Sequence, residues 1–451
     1  MTMKKDTQIV YAFCVPLIFP EGFSVGSSGK NNKIEIERNG RKRPVLRGSS
    51  LAGVFRSELG LYFGDDEDDN GIAYYFGRAL DRNDERQESR MVFFDLEFED
   101  KTEESMHNLI CRHTGSVSTE DKGLFSLERT ASGSTAVLRF YFRAEKDWSG
   151  NQEFVDAVIR ILQRGLFFGG NQARGMGRAI INGESFRMKK LDLETEDGLA
   201  RFLDLTYSTD WDLRDGEQIP ATGPADSDVL AIDVTFGIPR GQDILCSEGN
   251  DAYPVMAGVD SGKCWKIPGS SIRGIFRAWF SRLAARDGEK LSDSAENFKN
   301  TLGQRTIDMK EEENDPISDL FGAIRKDNSG QKKGRIHISD ALSGKANPED
   351  DVQFRMHVAI DSFSGGTNPG RLFSNYVLTD PKGALRFHSR ISIVNPTQKE
   401  ADWLKKTLDA VNLGLVRFGS SKASGRLEIR EDIKIVCKPE KIQFNTQLER
   451  I

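Results

Sequence analysis

Two small-residue turns that run into apolar helices, and two glycine-rich loops carrying Arg and Lys, are the parts of this chain best suited to chemistry. The turns read Arg47-Gly48-Ser49-Ser50-Leu51-Ala52-Gly53-Val54-Phe55-Arg56 and Pro268-Gly269-Ser270-Ser271-Ile272-Arg273-Gly274-Ile275-Phe276-Arg277. A helix N-terminus leaves backbone N–H groups without intrahelical partners, and small residues there let a phosphate approach closely. Gly48, Ser49, Ser50 and Gly269, Ser270, Ser271 have that form, with Arg56, Arg273 and Arg277 farther along the same helices. The loops read Phe168-Gly169-Gly170-Asn171-Gln172-Ala173-Arg174-Gly175-Met176-Gly177-Arg178 and Phe418-Gly419-Ser420-Ser421-Lys422-Ala423-Ser424-Gly425-Arg426. Main-chain amides at Gly169, Gly170, Gly419, Ser420 and Ser421, together with Arg174, Arg178, Lys422 and Arg426, predict a second phosphate grip in each half. Taken singly, such a loop reads as a tight turn; as two equivalent pairs, these elements read as contacts to a nucleic-acid backbone. Neither late loop is a nucleotide P-loop. Both lack the Gly-Lys-Ser/Thr ending, and each follows a helix and precedes a strand, the reverse of the required order. A single strand gripped by its phosphates, with bases left for pairing or stacking, fits better.

The elements that must position these motifs also occur twice. Phe76-Gly77 and the segment Arg90 to Asp95 return as Phe321-Gly322 and Arg335 to Asp340, both displaced by 245 residues (321 − 76 and 335 − 90). Leu138-Arg139-Phe140 returns as Leu385-Arg386-Phe387, His113 as His357, and Leu124-Phe125 as Leu372-Phe373. Repeats of this kind settle the architecture before any single motif does. β-rich runs at Val10 to Ile18 and Val229 to Ile238 open the halves as strands. The first helices carry Leu51, Val54, Phe55 and Leu59, and then Ile272, Ile275, Phe276 and Trp279, at helical spacing. Second strands are expected at Arg90 to Leu96 and Arg335 to Leu342, and third strands at Ala136 to Ala144 and Ala384 to Val394. Ser149 with Gln152 and Thr397 with Glu400 match capping boxes ahead of the late helices. Fourth strands follow at Gly177 to Phe186 and Gly425 to Val436. The order βαββαβ predicts an α+β fold of two tandem ferredoxin-like (RRM-like) domains, residues 1–209 and 229–451, joined by a linker at 210–228. The long excursions Glu97 to Ser134 and Ser343 to Gly383 are expected to form projecting hairpins.

Composition limits the function classes. A chain of 451 residues that is 37% hydrophobic and 29% charged fits two soluble globular domains. No apolar run approaches the length of a membrane span, and the start lacks the apolar stretch of a secretory signal. Five scattered cysteines without a CxxC pair point to neither a zinc site nor a disulfide framework, so a cytoplasmic protein is expected. The net charge of −6 is concentrated in apparent loops such as Asp65 to Asp69 and Glu311 to Asp315, leaving the glycine-rich loops basic.

Together, the βαββαβ order, the Gly-Ser-Ser-x-x-Gly-x-Phe-Arg turn, the Phe-Gly…Gly-Arg…Asp segment and the terminal glycine-rich loop resemble the RAMP superfamily. Specifically, the chain resembles the backbone subunits of type III CRISPR RNA-guided effector complexes, twice over and nearly end to end, as a tandem fusion. That resemblance implies a protein that stacks along CRISPR guide RNA, with its hairpins kinking the duplex of guide and complementary target RNA. It implies as partners the other backbone, large and small subunits of such a complex, with no membrane involved. It further implies cleavage of target RNA by an Asp after the first strand, with a divalent metal (Mg or Mn) and no organic cofactor.

Carried over by residue, the resemblance places the catalytic Asp at Asp251, within Gly249-Asn250-Asp251-Ala252-Tyr253-Pro254-Val255-Met256, where it is also a possible metal ligand. Asp243 and Asp260 flank it as alternatives. In the first half Asn32 stands at that place, and an amide lacks the charge needed to attract a metal or a proton, so the first domain is expected to bind without cutting. A carboxylate beside a kinked backbone can supply base or metal-ligand chemistry to 2′-hydroxyl attack. His113 and His357 read as structural, and Phe125 and Phe373 either pack against bases or staple the hairpins. A non-catalytic RNA-binding scaffold is the first alternative. A guide-maturing endoribonuclease is the second, set back by a first histidine as late as His107.

Overall fold

The computed structural model describes residues 9–28, 33–63, 71–77, 88–99, 101–108, 124–146, 150–170, 172, 176–207, 213–222, 229–248, 253–254, 256–259, 262–291, 306–307, 315–325, 331–332, 334–361, 363–419 and 425–449. They form a mixed α+β structure of two compact units, which correspond in the main to the residues before and after 225.

In the first unit, strand Ile9–Phe19 places Ile9, Tyr11, Phe13, Val15, Leu17 and Phe19 on one face, as the period of two requires. It pairs antiparallel along its whole length with Ser134–Ala144, from Ile9 opposite Ala144 to Phe19 opposite Ser134. Its other edge takes Arg178–Ile181 and Ser185–Asp192, while Met91–Phe93 pairs with the far edge of Ser134–Ala144. Numbered by their order in the repeat, the strands therefore lie fourth, first, third, second. Helices Gly48–Phe63 and Asn151–Arg164 both contribute to the core on that same face, through Leu51, Phe55 and Leu59 and through Phe154, Val158, Ile161 and Leu162. Phe13 and Phe140 stack at 4.7 Å, each fully buried, and such burial is worth about 1.5–3 kcal/mol per side chain. On the opposite face Ala12, Cys14 and Tyr141 meet Leu205 and Leu213. Leu205 belongs to helix Glu196–Tyr207, which the sequence reading did not anticipate.

The second unit repeats this order. Strand Val229–Gly237 lies between Phe387–Val394 on one side and the short Glu428–Ile429 and Lys434–Cys437 on the other, with Ile336–Ile338 beyond Phe387–Val394. Helices Gly269–Arg286 and Gln398–Asn412 fill the core through Ile272, Phe276 and Phe280, and through Ala401, Leu404, Leu408 and Val411. Strand Val352–Ile360 pairs antiparallel with Thr367–Thr379, and the latter also pairs with Asp243–Ile244.

Several boundaries differ from expectation. Each second strand is broken: Met91–Phe93 is followed by a separate Leu96–Glu97, and Ile336–Ile338 by Ala341–Lys345. The breaks free Asp95 and Asp340 to turn toward a helix. Part of the expected linker, Glu217–Pro220, is a strand paired with Ser185–Asp192. Thr397 and Glu400 form a full capping box, but the first late helix starts from Gly150 without a side-chain cap, and Gln152 instead bonds Asp156 at 2.9 Å. Ser149 lies outside the described residues.

Candidate nucleic-acid interface

The two small-residue turns hold carboxylates of the chain itself. Gly48 donates its N–H to Asp95 Oδ1 at 2.8 Å, and Gly269 donates its N–H to Asp340 Oδ1 at 2.7 Å. The second oxygen of each carboxylate faces a cation: Arg47 Nη1 at 2.9 Å from Asp95, Lys266 Nζ at 3.4 Å from Asp340. A carboxylate at a helix N-terminus is favoured by the helix dipole, so these aspartates occupy the place proposed for an RNA phosphate. Both glycines are buried because the helix start lies directly on the second strand. A Cβ on Gly48 would stand 2.4 Å from Phe93 O, and one on Gly269 2.4 Å from Ile338 O. The N–H groups of Ser50 and Ser271 turn back to Arg47 O and Pro268 O, each at 2.9 Å. Ser49 and Ser50 are exposed, while Ser270 and Ser271 are half-buried.

The arginines of these helices divide. Arg56 is exposed. Arg277 is buried and donates to Gly322 O at 2.9 Å, and Arg273 donates to Phe321 O. Both guanidiniums also lie over the Phe321 ring, at 5.9 and 5.3 Å. They close the C-terminal end of helix Pro316–Phe321, where cations are favoured, and so are engaged inside the protein rather than by a ligand.

The late loops are fastened by one shared contact. Gly169 at φ 75° and Gly419 at φ 78° lie where a Cβ would stand 2.6 Å from Ser24 O and 2.5 Å from Leu245 O. Phe168 and Phe418 anchor the loops from the core, and their N–H groups bond Gly177 O at 2.8 Å and Gly425 O at 3.0 Å. Gly170 N–H bonds Ser24 O at 2.8 Å. Arg178 stands opposite Phe167 in strand Arg178–Ile181, half-buried. Arg426 lies beside Gly414 at the end of helix Gln398–Asn412, and its Nε is buried without a hydrogen-bond partner. Arg417 Nη1 is orphaned in the same way, one residue before Phe418. Arg273 and Arg277 also keep a buried Nε without a hydrogen-bond partner. It is therefore the position of Arg417 next to the glycine-rich loop, together with its orphaned nitrogen, that makes it an anion-binding candidate that sequence reasoning missed. No repeat pattern marked it, because Phe167 stands at its place in the first unit. Arg174, Ser420, Ser421 and Lys422 lie outside the described residues.

From the pinned residues Ser24 and Leu245 the chain runs toward the expected cutting position. Gly26–Ser28 pairs with Lys33–Ile36, and Ser247–Glu248 pairs with Tyr253–Pro254. Residues 29–32 and 249–252 thus each join two paired strands. Asp251, Asp260 and Asn32 lie outside the described residues, and an ungapped match from Gly29 and Gly249 would set Asn31 against Asp251, again an amide. Asp243 is buried and ion-paired with Arg355, which takes it away from a solvent-facing acid or base role. Burial pushes the Cys246 thiol up to about 12, so it is no thiolate nucleophile at neutral pH. Glu37 accepts from Arg47 Nε at 2.7 Å, and Glu128 accepts from Arg38 at 2.7 Å and from Ile36 N–H at 3.1 Å. His357 Nε2 lies 3.2 Å from Asn375 Oδ1 across the hairpin; His113 and the side chains of Phe125 and Phe373 lie outside the described residues. Among the described residues no three His, Cys, Asp or Glu side chains cluster to hold a metal ion.

Among the described residues no helix is long and apolar enough to cross a membrane. A search of curated proteins returned no match to the chain. The family profile of the RAMP superfamily matches twice, over residues 16–180 and 253–427, one match within each of the two repeats. The chain therefore belongs to the RAMP superfamily, as two such domains in tandem.

Proposed function

We propose that this protein is a CRISPR RNA-binding backbone subunit of a type III effector complex, two ferredoxin-like subunits fused, and that its second half cuts guide-paired target RNA. The fourth-first-third-second strand order in both units, with two helices on one face, supports the ferredoxin-like reading. The observation that carries the proposal is the shared fastening of the late loop to the segment after strand one, Gly169 on Ser24 and Gly419 on Leu245. It brings a basic, glycine-rich loop beside the start of the segment that leads to residues 249–252. One stretch grips a phosphate through Arg426, Arg417 and Lys422, and the other carries Asp251.

In this reading Asp251 assists attack of a 2′-hydroxyl on the adjacent phosphorus. The new P–O2′ bond forms as the P–O5′ bond breaks, leaving a cyclic phosphate and a 5′-hydroxyl, with the 2′-proton passing to a base and a proton reaching the departing oxygen. A divalent cation would supply charge stabilisation when bound. The first half binds without cutting. The test is to mix the purified protein with guide RNA and labelled complementary RNA and to size the products with and without Asp251→Ala. Binding without any cut in the unmodified protein favours the scaffold alternative.

A further inference from the structure

Between the turn after strand one and the residue that the late loop pins, the second unit has two residues more than the first. Both units leave strand one through a Pro-x-Gly turn, Pro20-Glu21-Gly22 and Pro239-Arg240-Gly241, with the glycines at φ 65° and 77°. Both then reach the residue that the late loop pins, Ser24 or Leu245. Phe23 alone separates Gly22 from Ser24, whereas Gln242, Asp243 and Ile244 separate Gly241 from Leu245. Phe23 and Ile244 are equivalent, because each meets the returning strand of its unit's long excursion. Phe23 N–H bonds Thr130 Oγ1 at 2.9 Å, and Ile244 pairs with Leu378. Asp243 is thus an added residue, and a costly one to bury: its side chain is 3% exposed, beside Arg355 on strand Val352–Ile360. Stability alone does not explain it, since an apolar residue would fill the place at least as well.

We propose that the Asp243–Arg355 ion pair is a positioning device, one that fastens the origin of the Asp251 segment to the long hairpin Val352–Thr379. The inference rests on the reading that Asp251 cuts target RNA. Downstream of Asp243 the segment is already held, by Leu245 against Gly419 and by Ser247–Glu248 against Tyr253–Pro254. Tyr253–Pro254 in turn runs alongside strand Thr367–Thr379. The pair completes this frame, so the seat that the hairpin takes on RNA sets where the Asp251 carboxylate lies. The first unit has no residue at the place of Asp243. Its hairpin Gly26–Ser28/Lys33–Ile36 instead joins Leu124–Thr130 and Thr102–Asn108 in one sheet, tied by Arg38–Glu128 at 2.7 Å and Lys33–Glu104 at 2.9 Å.

The experiment uses the full chain assembled with guide RNA and labelled complementary RNA. It compares single-turnover cutting at the second-half site and RNA affinity for Arg355→Ala, Arg355→Lys, Asp243→Asn and Asp251→Ala. Removing either partner should slow cutting by about 10- to 100-fold, the cost of a misplaced catalytic group, while affinity changes by less than about threefold. Arg355→Lys should recover most of the rate. Arg355→Met, which keeps the aliphatic stem, serves if the alanine variant does not fold. An unchanged rate in Arg355→Ala, affinity lost in step with rate, or no recovery with lysine would each overturn the inference while Asp251→Ala still abolishes cutting. Persistent cutting in Asp251→Ala would instead remove the reading on which it stands.

Discussion

Asp340 and Gly269 are 71 residues apart in sequence, yet the Asp340 carboxylate accepts the Gly269 N–H at 2.7 Å, and Asp95 accepts the Gly48 N–H at 2.8 Å in the other unit. The small-residue turn and the aspartate ending the second strand are therefore one structural device, made twice. Each glycine brings the helix start onto a strand carbonyl, and each aspartate satisfies the N–H group left there.

Asp340→Ala should destabilise the second unit by about 3 kcal/mol, because it leaves the Gly269 N–H and the buried Lys266 ammonium unpaired. Asp340→Asn keeps an acceptor and should cost less. Denaturant midpoints at constant slope measure the difference, and equal costs for the two variants would argue against the charge.

Arg417→Ala and Arg426→Ala should each weaken RNA binding to a similar degree for unrelated sequences. Each should also reduce the salt dependence of affinity by about one unit of slope, as expected for one lost phosphate contact. Titrations at several salt concentrations read this directly, and a sequence-selective loss would assign these residues to bases instead.

Asp251→Ala should lower cutting at the second-half site by about 100-fold or more, and chelators of divalent metal should suppress the same product. The first-half site should stay intact, and Asn32→Asp should leave it so, because no residue stands at the place of Asp243 in that unit. A new product there on mapping would mean that charge alone was missing.

Acid should loosen the first unit's hairpin sheet. Burial raises the Glu128 carboxyl, but the Ile36 N–H and the Arg38 guanidinium outweigh it and hold the group below the usual carboxylate range. A folded-state value below the unfolded one gives stabilisation that is full above about pH 4.3 and is lost as pH falls through the lower folded value. Glu128→Gln should flatten that part of the acid dependence. Urea midpoints between neutral and acid pH would show it, and parallel curves for the two proteins would exclude Glu128 as the source.

The duplication, the order of strands and helices and the Thr397–Glu400 capping box were legible in the sequence, because each depends on periodicity or on residues within one turn of each other. The same holds for the apolar stripes of the four main helices. The fate of the polar residues was not legible. Gly48 and Gly269 have the composition of a phosphate cradle, but carboxylates 47 and 71 residues away take their N–H groups. Arg273 and Arg277 look like solvent-facing cations on a helix, but carbonyls 48 and 45 residues away engage them. Asp243 was indistinguishable from a solvated loop acid until strand Val352–Ile360 brought Arg355 against it. Local spacing encodes which face of an element is apolar, whereas the partner of a charge is chosen by whatever the folded chain carries to within about 3 Å of it.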